Sequence, residues 1–79
     1  MATNNCVFGK ILEQVRKSNK RSRGKVARDA FSNPSDVKKI ESGIREPRVL
    51  LAIRLAHASG MDLGEFFKLV HQAMLKEKI

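Results

Sequence analysis

Residues 22–43 read SRGKVARDAFSNPSDVKKIESG, a stretch that predicts two short helices joined by a tight corner. In each half the apolar residues recur at spacings of three or four, which is typical of one buried helical face. These residues are Val26, Ala27 and Ala30 in the first helix, and Val37 and Ile40 in the second. The other positions are mostly polar, so each helix has a narrow buried stripe and a broad polar face.

Both ends of the second helix are marked in the sequence. Asn33 has a side-chain oxygen that can accept from a free amide of the first turn. Pro34 suits the first helical position because it lacks the NH group that would go unpaired there. Gly43 ends the helix, since glycine adopts the left-handed conformation at little cost. A helix of about nine residues with so much polar surface favours a partner other than water on its exposed face.

The net charge of +8 is concentrated around this two-helix stretch. Of the 16 Lys and Arg residues, 11 lie between Arg16 and Arg48, against four acidic residues. A polyanion is the natural partner, because each neutralised phosphate releases condensed counterions. The alternative is that these Lys and Arg side chains only keep the helix surfaces hydrated. Their clustering in one part of the sequence disfavours it.

The length and composition of the chain limit the classes of protein to which it can belong. A chain of 79 residues predicts one domain, 1–79, near the lower size limit for a core without disulfides or a metal. The single cysteine, Cys6, excludes an internal disulfide, is typical of a reducing compartment and is expected to be an apolar filler. No apolar run approaches the roughly 20 residues of a membrane helix. We therefore expect a cytoplasmic protein without membrane contact, cofactor or small-molecule substrate.

Three further helices are predicted outside the central stretch. The first runs from about residue 6 to residue 18, and its apolar stripe is Phe8, Ile11, Leu12 and Val15. Another opens at Pro47 and ends near Ser59, with a predicted inward stripe of Val49, Ala52, Ile53 and Ala56. Asp62 caps the last one, which carries Leu63, Phe66, Phe67 and Val70. Strand alternation is lacking, so the sequence predicts an all-α fold of five helices.

Three segments, in order, resemble the helix-turn-helix domain of the Cro and cI repressor family, also called XRE-type. They are VARDAFSNPSDVKKIESG, IREPR and IRLAHASGMDLGEFF, within a resemblance that extends over roughly residues 8–67. It implies a five-helix lambda-repressor-like domain in which helices 2 and 3 form the motif and helix 3 enters the major groove. The implied function is a sequence-specific DNA-binding transcriptional regulator, such as a phage, plasmid or mobile-element repressor or controller.

The resemblance also implies roles for individual residues. The positions that approach base edges are Asn33, Pro34, Ser35, Asp36 and Lys39. The positions that contact phosphates are Arg23, Lys38, Arg45 and Arg48. Arg16 and Glu41 match a partly buried salt bridge that ties helices 1 and 3 together in relatives.

The sequence departs from the family pattern at three positions. Phe31 stands where relatives usually have the glycine of the turn, which implies either a strained phenylalanine at positive φ or a differently built corner. Arg23 replaces a common glutamine, which shifts that contact toward charge neutralisation. Ser59 replaces a common leucine, so we expect the packing of helices 4 and 5 to rely on Met61, Phe66 and Phe67.

The last helix, about 63–77, extends beyond the minimal domain and is predicted to dimerise the protein. The predicted interface residues are Leu69, Val70, Ala73 and Met74, with Leu50 or Leu51 as candidate additions. One small recognition helix reads few base pairs, whereas a two-fold dimer presents two helices about 34 Å apart to a palindromic duplex. The alternative is that these apolar residues only cover the core.

Other functions fit the sequence less well than double-stranded DNA binding does. A protein-interaction module, such as an antitoxin or anti-repressor acting through helices 4 and 5, is the main alternative. RNA binding is disfavoured because the chain has no Tyr or Trp to stack on bases. An enzyme is not expected, since His57 and His71 lack acidic partners at ligand spacing and no phosphate-binding glycine loop is present.

Overall fold

The computed structural model describes residues 3–76, with side chains described from residue 7 onwards. Over this range the chain is all-helical, with five helices and no strand, which confirms the predicted fold class at that level. The helices are α1 (Thr3–Ser18), α2 (Arg23–Asp29), α3 (Pro34–Glu41), α4 (Val49–Ala58) and α5 (Leu63–Lys76). None of these helices is both long enough and apolar enough to cross a membrane. The Cys6 side chain and the predicted end of the last helix near residue 77 lie outside the described residues.

Apolar side chains from all five helices form one core. Its largest fully buried members include Leu12 of α1, Val26 of α2, Ile40 of α3, Leu55 of α4 and Phe66 of α5. Helix α1 packs against α3 and α5, α2 packs against α3 and α4, and α4 packs against α5. The short helix α3 is therefore held by α1 and α2.

Polar side chains cap the N-termini of three helices, and two of these caps, Asn33 and Asp62, were predicted from the sequence. Ser22 Oγ accepts from the Lys25 amide at 3.1 Å, and Asp62 Oδ2 accepts from the Glu65 amide at 3.2 Å. Asn33 has the same role in α3. Two predicted starts were wrong. Helix α1 begins at Thr3, and α4 begins after Pro47 with Arg48 in the N-cap position, where no side-chain hydrogen bond forms.

The basic connection between α1 and α2 is fixed to the far end of α4. Asn19 Nδ2 donates to the Ser59 carbonyl and Arg21 Nη1 donates to the Ala58 carbonyl, both at 2.9 Å. The last carbonyls of a helix lack partners within it, so these two side chains satisfy groups that would otherwise need water. Asn19 and Arg21 of this basic connection therefore have a structural role.

Three phenylalanines join α1 to α5. The ring centroid of Phe8 lies 5.5 Å from that of Phe66 and 6.2 Å from that of Phe67, which are themselves 5.4 Å apart. Ser59 is fully buried, and its hydroxyl donates to the Ala56 carbonyl at 2.6 Å. Met61 packs at the edge of the core. The serine is thus accommodated by an internal hydrogen bond, and the phenylalanines pack against α1 as well as against each other.

Candidate nucleic-acid interface

Helix α3 has one buried face and one polar face. Val37, Ile40 and Glu41 are buried. Because successive helical residues are rotated by about 100°, Ser35 and Lys39 lie opposite that buried face. Both are exposed, and so is Lys38. The polar side of α3 is therefore open along its length.

The first turn of α3 is ordered by its own cap. Asn33 Oδ1 accepts from the Asp36 amide at 2.9 Å, and Pro34 occupies the first helical position. The Asn33 amide group also lies 3.4 Å from Asp36 Oδ2. The carbonyl oxygen of Asn33 and one of its amide hydrogens are thus already used within the turn. The second amide hydrogen and the hydroxyl of Ser35 are available to an external acceptor.

The corner between α2 and α3 contains a left-handed phenylalanine. Phe31 has φ 58°, the strained conformation that the resemblance allows for this position. The Ser32 amide donates to the Ala27 carbonyl at 2.8 Å and closes the turn. A left-handed residue with a Cβ costs about 1–2 kcal/mol.

The described contact of the Phe31 side chain offsets this cost only in part. Phe31 is 84% exposed, and its one described aromatic contact is with Arg54, whose Cζ lies 5.5 Å from the ring centroid. An exposed cation–π contact contributes about 0.5–1 kcal/mol. A glycine would fit this backbone without the strain.

A buried carboxylate joins α1, α2 and α3. Glu41 accepts from Arg16 through two bonds, Nε to Oε2 at 2.7 Å and Nη2 to Oε1 at 3.1 Å. These side chains are 2% and 8% exposed, respectively. Arg16 also donates from Nη1 to the Arg21 carbonyl at 2.9 Å. The salt bridge implied by the resemblance is present, and it fixes α3 relative to α1.

Arg23 is a third member of this network. Its Nε donates to Glu41 Oε1 at 2.9 Å, and its Nη2 lies 3.9 Å from a carboxylate oxygen of Glu13. The guanidinium is therefore paired with two carboxylates, although the side chain is 38% exposed. Its predicted phosphate contact stays a prediction, and it would have to form alongside these pairs.

The connection after α3 returns to the start of that helix. Gly43 has φ 80°, and the amide of Ile44 donates to the Lys39 carbonyl at 3.0 Å. This reversal brings Arg45 Nη1 to within 2.8 Å of Asp36 Oδ1. Asp36, a predicted base reader, is therefore already paired with Arg45, a predicted phosphate contact.

The remaining predicted DNA contacts surround the same helix. Arg48 is exposed at the start of α4, and Lys38 and Lys39 are exposed on α3. No ion pair of these three side chains is found in the part of the chain that the structure describes. Their charges are thus available to an anionic partner.

Gly9 is a positioning residue that the sequence reasoning missed. A Cβ at Gly9 would overlap with the Ile40 carbonyl oxygen and would lie 2.9 Å from Glu41 Cα. The glycine therefore permits α1 to approach the backbone of α3 closely. Its signal in the sequence is an isolated glycine within an amphipathic helical pattern, which often marks such an approach.

The predicted inward stripe of α4 was partly wrong. Val49 is 74% exposed and Ile53 is 38% exposed, whereas Leu55, Ala56 and Ala58 form the buried face. Apolar residues occupy most of the circumference of α4, so periodicity did not determine which side would be buried. Packing against α2 and α5 selects the side that carries Leu55.

Val49 and Ile53, which were predicted to be buried but are exposed, line an apolar groove between α4 and α5. We call it the α4–α5 groove. Its volume is about 520 Å³. The apolar residues that line it are Phe8, Pro47, Val49, Ala52, Ile53, Phe67, Val70 and Met74. Of the predicted dimer residues, Val70 and Met74 line the groove, Ala73 is half-buried and Leu69 is 36% exposed on the same helix.

No protein-family model, curated protein or solved structure matches the chain.

Proposed function

We propose that the protein is a sequence-specific DNA-binding transcriptional regulator, in which α2 and α3 act as a helix-turn-helix unit and α3 enters the major groove. The observation that carries the proposal is the construction of α3. Three buried positions and the Arg16–Glu41 salt bridge hold the helix, while Ser35, Lys38 and Lys39 are left exposed along one side. This is what a helix needs if its side chains are to meet base edges.

The surrounding charges support a duplex as the partner. Lys38, Arg45 and Arg48 are exposed on α3 or in the connection that follows it. Cations at these places would bind phosphates and set the docking position, while Ser35 and Lys39 would contribute base contacts. Asn33 and Pro34 lie at the N-terminal end of α3, where the amide hydrogen of Asn33 that does not bond to Asp36 can donate to a base or a phosphate.

The Asp36–Arg45 pair changes the role proposed for Asp36. Its carboxylate holds the Arg45 guanidinium beside α3. We assign Asp36 to positioning Arg45, and direct reading of cytosine would require this pair to open. The lambda-repressor-like arrangement and the regulation of transcription are inferred from the resemblance.

A homodimer follows from the same proposal. The α4–α5 groove and the exposed side chains of Leu50, Leu69 and Leu75 offer apolar surface that a second copy would remove from water. Two copies would present two α3 helices to a palindromic operator.

The salt dependence of duplex binding tests the proposal. A dimer with four phosphate contacts in each protomer gives a slope of about −7 for the logarithm of the binding constant against the logarithm of salt concentration. Fluorescence anisotropy with a labelled duplex measures this slope. A slope near zero would contradict phosphate contacts by Arg23, Lys38, Arg45 and Arg48.

The α4–α5 groove also supports a second candidate, a protein-interaction module such as an antitoxin or anti-repressor. In that case Lys39→Ala and Arg45→Ala would leave activity unchanged, and Leu69→Asp or Met74→Asp would abolish it. If the protein acts by binding DNA, Lys39→Ala and Arg45→Ala should instead reduce its activity. The effect of these two variants therefore distinguishes the two candidate functions.

A further inference from the structure

A second cationic surface lies at the corner between α2 and α3. Its centre is a cleft of about 340 Å³. The cleft is lined by Arg21, Arg28, Asp29, Phe31, His57 and Ala58. Arg54 stands at its edge, against the Phe31 ring. We call the group of Phe31, Arg28 and Arg54 the corner patch. None of these three residues has a role in the proposed DNA contacts.

The charge of this patch is unbalanced. Asp29 is the acid of the cleft, and its carboxylate is paired with Lys25 at 3.3 Å. Within the described residues, neither Arg28 nor Arg54 forms an ion pair. Arg21 is partly engaged, since it donates to the Ala58 carbonyl. The corner patch therefore favours a negatively charged partner.

Phe31 adds an apolar requirement to this charge. Exposed apolar side chains are common one at a time and often need no explanation. Phe31 differs because its backbone is in a strained conformation and the residue remains largely exposed despite its contact with Arg54. Strained residues cluster where a structure binds a ligand or partner. Aromatic residues and Arg are also enriched at the centres of protein–protein interfaces.

We propose that the corner patch docks an acidic segment of a second protein. A large apolar side chain of that segment would cover the Phe31 ring, and its carboxylates would pair with Arg28 and Arg54. Single-stranded nucleic acid fits less well, because such strands are bound on several successive aromatic rings and Phe31 is alone at this corner. The proposal is independent of DNA binding by α3.

Selection from displayed short random peptides on the whole chain tests the proposal. The expected result is enrichment of peptides that combine several Asp or Glu residues with one large apolar residue. A synthetic peptide of the enriched sequence should then lose about 30-fold in affinity with Phe31→Asn, as for an interface hot spot. Asparagine tolerates a positive φ, so this variant should retain the fold, which far-UV circular dichroism checks.

Charge-reversal variants give the second arm. Arg54→Glu and Arg28→Glu should each weaken peptide binding by about tenfold or more, whereas Lys10→Glu should change it by less than about twofold. Lys10 is an exposed residue of α1 outside the cleft, so the control makes the same charge change elsewhere.

Three results would overturn the proposal. One is failure to enrich acidic peptides with an apolar residue. Another is peptide binding that is insensitive to Phe31→Asn and Arg54→Glu. The third is tight binding of a labelled oligothymidine that is lost in the same two variants, which would assign the corner patch to single-stranded nucleic acid instead.

Discussion

Arg45 Nη1 donates a hydrogen bond of 2.8 Å to Oδ1 of Asp36, and this contact ties the connection after α3 to the first turn of α3. The two residues are nine positions apart, and the reversal at Gly43 brings them together. A residue expected to read a base and one expected to hold a phosphate are thus parts of one contact. Their contributions to DNA binding should therefore depend on each other.

A double-mutant cycle on duplex affinity measures that dependence. If Asp36 positions Arg45, Arg45→Ala should cost less in the Asp36→Ala background than in the wild type, with a coupling energy of about 0.5 kcal/mol or more. The same pair is half-exposed and should contribute only about 0–1 kcal/mol to folding stability.

The control cycle combines Asp36→Ala with Lys38→Ala. Residues two apart on a helix do not face each other, so these two changes should be additive. If the effects of Asp36→Ala and Arg45→Ala on binding free energy also added within about 0.3 kcal/mol, the proposal that Asp36 positions Arg45 would be contradicted.

The buried Glu41 network should dominate the electrostatic contribution to stability. Glu41→Ala leaves the Arg16 charge buried without its main partner, and it should lower the free energy of unfolding by about 3–5 kcal/mol. Urea unfolding followed by circular dichroism measures this loss. Glu13→Gln, which removes the partly exposed pairs of Glu13 with Lys17 and Arg23, should cost at most about 1 kcal/mol.

Replacing both charges separates pairing from packing. In Arg16→Met with Glu41→Leu, no charge is left buried, and much of the stability lost in Glu41→Ala should return. If the double variant were as unstable as Glu41→Ala, the loss would have to come from shape rather than from an unpaired charge. Equal losses in Glu41→Ala and Glu13→Gln would contradict the account of Glu41 directly.

Gly9 should be intolerant of any side chain. Gly9→Ala places a methyl group against the Ile40 carbonyl and should cost about 1–3 kcal/mol as α1 and α3 move apart. Gly24→Ala is the matched control, because a Cβ there has Ser22 Oγ at 3.8 Å as its nearest neighbour and should stabilise α2 by about 0.5–1 kcal/mol. Thermal unfolding should show a lower melting temperature for Gly9→Ala and a higher one for Gly24→Ala. An unchanged melting temperature in Gly9→Ala would contradict close packing of α1 against α3.

The α4–α5 surface should control the oligomeric state. We expect the wild type to be a dimer in sedimentation experiments. Met74→Asp should give a monomer with weaker operator binding, because it places a charge in the groove. Leu69→Asp, a change at a more exposed position, should act in the same direction with less risk to the core. Gln72→Asp, also on α5, should leave the dimer intact, and a wild type that remains monomeric would contradict the prediction.

Local chemistry made the helices predictable from the sequence. Asn33 and Pro34 begin α3 where expected, Asp62 caps α5, and Val37 and Ile40 form the buried stripe of α3. These features depend on residues close together in the chain, so capping and periodicity were sufficient.

Contacts between distant residues were not predictable in the same way. The capping of α4 by Asn19 and Arg21 joins positions about 40 apart, and no local pattern marks it. The exposed position of Val49 depends on which side of an almost wholly apolar helix meets α2. The Arg16–Glu41 pair was an exception, because the resemblance, rather than the pattern, implied it.

Selection of bound duplexes from a random pool tests the central claim most directly. If α3 reads bases and the protein binds as a dimer, the recovered sequences should share a motif with two-fold symmetry, whose half-sites are about 34 Å apart. Lys39→Ala should alter the motif within each half-site, whereas Lys38→Ala should weaken binding to all sequences alike. Recovery of no motif, or of a motif that Lys39→Ala leaves unchanged in sequence and affinity, would contradict the account of α3.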